Sequence, residues 1–306
     1  MLRLIATRLA LIPVVVLGVV TLLFIIFKTI PGDEAALMAG ATATQSEINA
    51  TRHQLGLDRP LLDQYVTRIA GLARGDLGYS STFRGNPLPR IAERVPATLL
   101  LTACAIGLTI IIGIPAGLLA AALHNRWPDL AVSSIVVALL AVPNFWLGLV
   151  LIAVFSVQLR WLPSFGFDGP VSLIMPSLAL AARLIALIAR LTRGLVIEEL
   201  RRPYVRTAYA KGLTARRVLW RHVLRNALVP TITAIGLEAG YLLGGSVVVE
   251  RLFAWPGIGD LLLNAIAVRD YTVVQGITVL FVTGFLLINL LVDGLATLVN
   301  PRLRHA

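Results

Sequence analysis

The chain has 306 residues, of which 57% are hydrophobic and 14% charged, with a formal net charge of +11 and a mean hydropathy of +0.83. Soluble domains carry roughly 25% charged residues, so a chain this apolar cannot hide its hydrophobic surface in one water-solvated core and reads as an integral membrane protein. The same composition excludes a disordered chain, a collagen repeat and a disulfide scaffold, and the lone Cys104 has no intrachain partner.

A bilayer-crossing helix needs about 20 mostly apolar residues, and six stretches satisfy this in chain order. The first is 9–30, preceded by Arg3 and Arg8. Its apolar run is too long for a secretory signal, which predicts a retained helix. The loop 31–96 follows. Thr44 and Glu47 have the spacing of a capping box, and Gly56 is placed to end that helix. After Pro60, Leu61, Tyr65, Ile69 and Leu72 recur at helical spacing, and Gly75, Asp76 and Gly78 mark a turn. The loop is therefore either a small cap packed on the membrane domain or a docking surface.

The second span is 97–123 and the third is 130–159, the latter without a charged residue. The fourth runs from 171 to about 190 and contains Arg183. The fifth, 228–249, contains Glu238, and the sixth, 271–299, contains Asp293. Pro13, Pro115 and Pro143 fall inside the first three spans, where neighbouring helices can re-satisfy freed backbone groups. Gly240 and Gly244 form a small-residue packing pattern, and Phe253, Trp255 and Pro256 read as an interfacial aromatic segment.

Basic residues set the orientation. Ten of them lie between Arg190 and Arg225, opposed only by Glu198 and Glu199, a net charge of +8. The positive-inside rule puts this loop, and with six spans both termini, in the cytoplasm, and the loop 31–96 outside. Charge so placed marks a membrane orientation and not nucleic-acid binding.

Catalytic constellations are missing from the sequence. Neither Lys28 nor Lys211 sits in G-x-x-x-x-G-K-[ST], the four histidines are scattered, no H-E-x-x-H or cysteine pair could hold zinc, and no G-x-S-x-G elbow occurs. Transport is the default for six spans. The classes open to these features are a subunit of an ATP-driven importer and a single-chain, ion-coupled secondary transporter or channel.

The stretch 204–230, YVRTAYAKGLTARRVLWRHVLRNALVP, is helix-compatible and groups Ala208, Ala210 and Gly212 between arginines. A small-residue turn admits close approach of another surface, though charge alone fits a headgroup anchor as well. The string resembles the cytoplasmic EAA loop of ABC-importer permeases, in particular the dipeptide/oligopeptide branch. The resemblance spans nearly the whole chain: LGLDRP (55–60), GDLG (75–78), RVPATLLL (94–101), GIPAG (113–117), PNFWLG (143–148), VVVERLFAWPGIG (247–259), RDYTVVQG (269–276) and NLLVDGLATLVNPRLR (289–304). It departs from the general form in having Arg206, Thr207 and Ala208 where Glu-Ala-Ala stands, and in lacking the later proline near Arg225.

The resemblance implies an all-α, six-helix type I importer fold: an N-terminal helix (1–30), an extracytoplasmic loop (31–96) and a core (97–306) with a coupling loop at about 191–227. It implies a bacterial inner-membrane subunit that pairs with a sister permease. Two ATP-binding subunits would hydrolyse ATP, and an extracytoplasmic solute-binding protein would deliver di- or oligopeptides. Relatives take glutathione, haem, nickel chelates or oligosaccharides. No cofactor or metal is implied. Arg206, Thr207, Ala208, Lys211, Gly212 and Leu213 would contact the ATPase.

Ionisable residues within spans are functional candidates. Glu238, about 18 Å along its helix from Asn226, and Arg183, about 10 Å deeper than Arg190, fall at similar depth and are expected to pair or to line the pathway. Asp293 reads as structural, near the cytoplasmic end.

Overall fold

The computed structural model describes residues 2–40 and 42–299. Among them the regular structure is helical, apart from one isolated bridge between Ser80 and Gly85. Five stretches are long and apolar enough to cross a membrane: Arg8–Thr29, Leu88–Ala122, Pro170–Leu200, Ala215–Leu252 and Tyr271–Val292. A sixth arises if the helices at Trp127–Ala141 and Asn144–Gln158, bent by 106°, count as one span.

That bend corrects the expectation of a continuous third span. Helix α7 (Trp127–Ala141) stops at Val142, whose ψ of 126° is extended, and α8 (Asn144–Leu151) starts after Pro143. A proline pushes the residue before it out of the helical region and offers no N–H of its own, so the chain turns there. Pro115 has a milder effect. It enters a helix directly after a π turn at Thr109–Gly113, which widens the backbone where the ring would otherwise strike a preceding carbonyl.

One compact unit comprises Thr98–Trp255 with residues 287–299. Its hub is the helix Ile174–Leu200, buried along most of its length. Gly117, on the helix Ile114–Ala122, makes close packing possible there. A Cβ at Gly117 would run into the Ala189 carbonyl and lie 2.8 Å from Thr192 Cβ. Backbone cannot move aside as a side chain can, so only glycine allows this approach.

The other unit comprises Leu2–Ala97 and Pro256–Leu286. Its core joins Ile91, Ile258, Leu261, Val273 and Ile277, with Phe27, Leu77 and Phe83 packed on it. The loop 31–96 is ordered by local rules. Thr44 and Glu47 form the reciprocal capping box, Thr44 N donating to Glu47 Oε2 at 2.7 Å. Gly56 closes that helix at φ +66°, and Leu61–Ala73 forms the next one. Asp270 then secures the loop. It is fully buried and accepts from Ser80 Oγ at 2.6 Å, Thr82 N at 3.0 Å and Val273 N at 3.2 Å.

Candidate functional site

The stretch after the hub helix forms two short helices, Pro203–Ala210 and Ala215–Val218. Pro203 suits the first position of the former, where its missing N–H costs nothing. The helix ends at Gly212, φ +77°. Gly212 N donates to Tyr209 O at 2.9 Å and Leu213 N to Ala208 O at 3.2 Å. This is the Schellman pattern, and it requires a left-handed residue where glycine stands. Leu213 then folds back onto a core of Val205, Ala208, Val196, Val218 and Val223.

The expected coupling residues therefore divide into two sets. Arg206, Thr207, Lys211 and Gly212 are exposed, Leu213 is half-buried, and Ala208 is buried in the chain's own core. Ala208 thus shapes the loop from inside. Tyr209 and Trp220 add exposed aromatic surface that sequence reasoning had not singled out.

Two braces hold this end, and neither was anticipated. Tyr204 Oη donates to Glu199 Oε2 at 2.5 Å and accepts from Asn226 Nδ2 at 3.1 Å, joining three helical segments. Burial, and then Glu199, push the Tyr204 hydroxyl above its ordinary value. Asp129, buried at the start of α7, accepts from Arg193 Nε at 2.6 Å and Nη2 at 2.8 Å, and from Asn125 N at 2.9 Å. Arg193 had been counted among the loop charges. A lone acid after Trp127-Pro128 was the available signal for its partner.

The expected pairing of Arg183 with Glu238 does not form: among the described residues no ion pair or hydrogen bond joins them. Arg183 is exposed and shares a cavity with Gly245 and Val248. Seven residues, about 10 Å of helix, separate Gly245 from the half-buried Glu238. The two helices are offset in a way that depth counted from the loop ends could not reveal. Gly244 has no atom within 4 Å of a would-be Cβ, so Gly240 and Gly244 do not form one packed stripe within this chain. The side chain of Asp293 lies outside the described residues.

On the helix that carries Glu238, the buried acid is Glu250. It is fully enclosed and accepts from Thr98 Oγ1 at 2.7 Å and Ser246 Oγ at 3.0 Å. Just beyond it, Phe253 and Trp255 correct the interfacial reading, with exposures of 2% and 0%. Ala254 adopts φ +47°, and Trp255 N donates back to Glu250 O at 2.8 Å, so the chain doubles over its own helix end. Trp255 then packs edge-on against Phe167 at 4.8 Å.

Residues 113–305 match the family model "Binding-protein-dependent transport system inner membrane component", and residues 1–102 match the corresponding N-terminal model. The chain belongs to this family. It is 44% identical over 284 residues, 93% of each chain, to the glutathione transport system permease protein GsiC of Escherichia coli (strain K12), and equally to that of Shigella flexneri serotype 5b. The MetNI methionine ABC transporter, solved in an inward-facing conformation, shares the fold, with TM-score 0.59 and 22% identity over 69% of this chain and 96% of that one. As a family member the chain is a multi-pass permease component of an ABC importer. Such a component works with a further permease, ATP-binding subunits and a solute-binding protein.

Proposed function

We propose that this chain forms half of the pathway through which glutathione or short peptides are imported. The observation that carries this is the 44% identity, over 93% of both chains, to a permease named for glutathione transport. ATP is hydrolysed by two partner subunits, since the sequence has no phosphate-binding loop. The helix Pro203–Ala210 and its Gly212 turn are the coupling element, presenting Arg206, Thr207 and Lys211 to an ATPase groove while Val205 and Ala208 anchor it. A rigid, internally packed projection transmits a partner's closure to the bundle, because packed elements shift between discrete arrangements. The basic loop and both termini are cytoplasmic, the outer loop faces the binding protein, and Arg183 and Glu238 border the pathway.

The test is reconstitution of the chain with its sister permease, ATPases and binding protein in proteoliposomes. Uptake of radiolabelled glutathione and tri-alanine is followed with and without ATP. ATP-dependent uptake of either supports the reading. Uptake that persists without the ATPases and follows an ion gradient would make the chain a secondary transporter. ATP-driven uptake of neither solute would overturn the solute class.

A further inference from the structure

Arg183 is a charge in an unusual place. It lies within the helix Pro170–Leu200, about 20 Å from its start and about 10 Å before Arg190, the next charge along it. A lipid-facing guanidinium at that depth is disfavoured. Its α-helical neighbours Ala182, Leu184 and Ile185 are buried, yet Arg183 itself is exposed. Among the described residues it has neither an ion-pair nor a hydrogen-bond partner.

It opens instead into a cavity of about 400 Å³ whose walls include Pro143, Asn144, Phe145, Gly245 and Val248. Asn144 starts α8, so the break between α7 and α8 occurs at this cavity. Pro143 precedes α8 with no side-chain cap. The first N–H groups of α8, from Asn144 onward, therefore lack helical partners and point their positive dipole end toward the same space. Gly245 lines the same cavity, and a Cβ there would meet only Leu180 Cδ1, at 4.0 Å. The acids on the facing helix are displaced: Glu238 is seven residues away, and Glu250 is occupied with Thr98 and Ser246.

We propose that Arg183, with Asn144 and the open first turn of α8, forms a mid-membrane subsite for a carboxylate of the transported solute. The proposal rests on the peptide reading above and adds which end of the solute is held and where. A guanidinium fork matches a carboxylate bidentately, and removal from bulk water strengthens the pairing. Discontinuous helices whose N-termini meet at the membrane midplane are a recurring way to receive anionic solutes. The remaining donors come from Asn144, whose amide has no other described partner.

The experiment uses the complete complex with Cys104→Ser and Val248→Cys, labelled by a neutral, water-soluble methanethiosulfonate. Tri-alanine at millimolar concentration should slow labelling at least fivefold, and its C-terminal amide should not. Arg183→Gln should abolish the protection while the complex stays assembled, and Arg183→Lys should retain part of it. Equal protection by acid and amide, or protection unchanged in Arg183→Gln, overturns the subsite. Dissociation of the Arg183→Gln complex would assign the arginine to a carboxylate of the sister permease instead. No labelling of Val248→Cys in any nucleotide state would place the cavity away from water and also overturn it. The uptake assay separates the two readings. ATP-driven uptake of tri-alanine without protection defeats the subsite alone, whereas ATP-driven uptake of neither tri-alanine nor glutathione defeats both.

Discussion

Arg193 grips Asp129 with two parallel hydrogen bonds, Nε to Oδ1 at 2.6 Å and Nη2 to Oδ2 at 2.8 Å, and so ties the start of α7 to the hub helix beside the basic loop. Asp129 is 2% exposed, so losing the arginine would leave a desolvated carboxylate. Breaking a buried pair from one side costs about 3–5 kcal/mol; the partly exposed arginine lowers this to about 2 kcal/mol. We expect Arg193→Ala to lower the thermal unfolding midpoint by several degrees in detergent. The double change Asp129→Leu with Arg193→Leu should recover most of the loss. Equal losses in the single and double variants would show that the contact contributes little.

Gly117 packs its bare backbone on Ala189 and Thr192. Gly117→Val must push two helices apart, and overpacking of this kind costs about 1–3 kcal/mol. Gly107 has nothing within 4 Å of a would-be Cβ, so Gly107→Ala should stay within about 0.5 kcal/mol of the parent. Thermal unfolding of the two variants side by side measures the difference.

The Tyr204 hydroxyl joins Glu199 and Asn226. Tyr204→Phe should cost about 1 kcal/mol. The folded-state value is raised above the ordinary 10.0. The unfolded chain therefore loses this proton first as pH climbs past 10, which favours unfolding. The stabilisation is fully present at neutral pH, where both states are protonated, and is lost as pH rises through the raised folded-state value. Tyr204→Phe should flatten the decline in stability above pH 10, read from urea midpoints across that range.

In the basic loop, Thr207 is exposed and Gly212 holds a left-handed turn. Thr207→Trp adds bulk to the proposed docking face without disturbing the inner core. We expect binding-protein-stimulated ATP hydrolysis to fall at least tenfold in the assembled complex. Gly212→Ala should reduce it too, by straining the turn. Parent-like stimulation in both variants would remove this loop from coupling.

In the loop 31–96, Tyr65 packs on Phe24 at 5.4 Å and shares a 2.6 Å hydrogen bond with Thr21, whereas Tyr79 is 43% exposed. A photocrosslinker replacing Tyr79 should reach the solute-binding protein in the ATP-bound complex, and one replacing Tyr65 should not. Crosslinks from Tyr79 to lipid or cytoplasmic subunits alone would contradict an outward-facing loop.

Everything the chain decides within a few residues of itself was legible. The apolar runs locate the spans because insertion depends on length and hydrophobicity. The Thr44–Glu47 box and the turns at Gly56, Gly75 and Gly78 follow from backbone geometry alone. Pro143 was visible too. Whether a proline kinks a helix or ends it depends on what receives the freed carbonyls, and that is not local.

Tertiary structure decided the registers. Arg183 meets Gly245 and not Glu238 because helix offsets are set by how side chains, and glycines such as Gly117, fit against their neighbours. Asp129 found Arg193 across 64 residues, and Asp270 found Ser80 across 190. The same holds for Phe253 and Trp255, whose aromatic character suits an interface equally well. They are buried because Ala254 turns the chain back over Glu250, and no pattern along the sequence announces a left-handed alanine. Hydrophobicity says that a residue leaves water; only packing says what it meets.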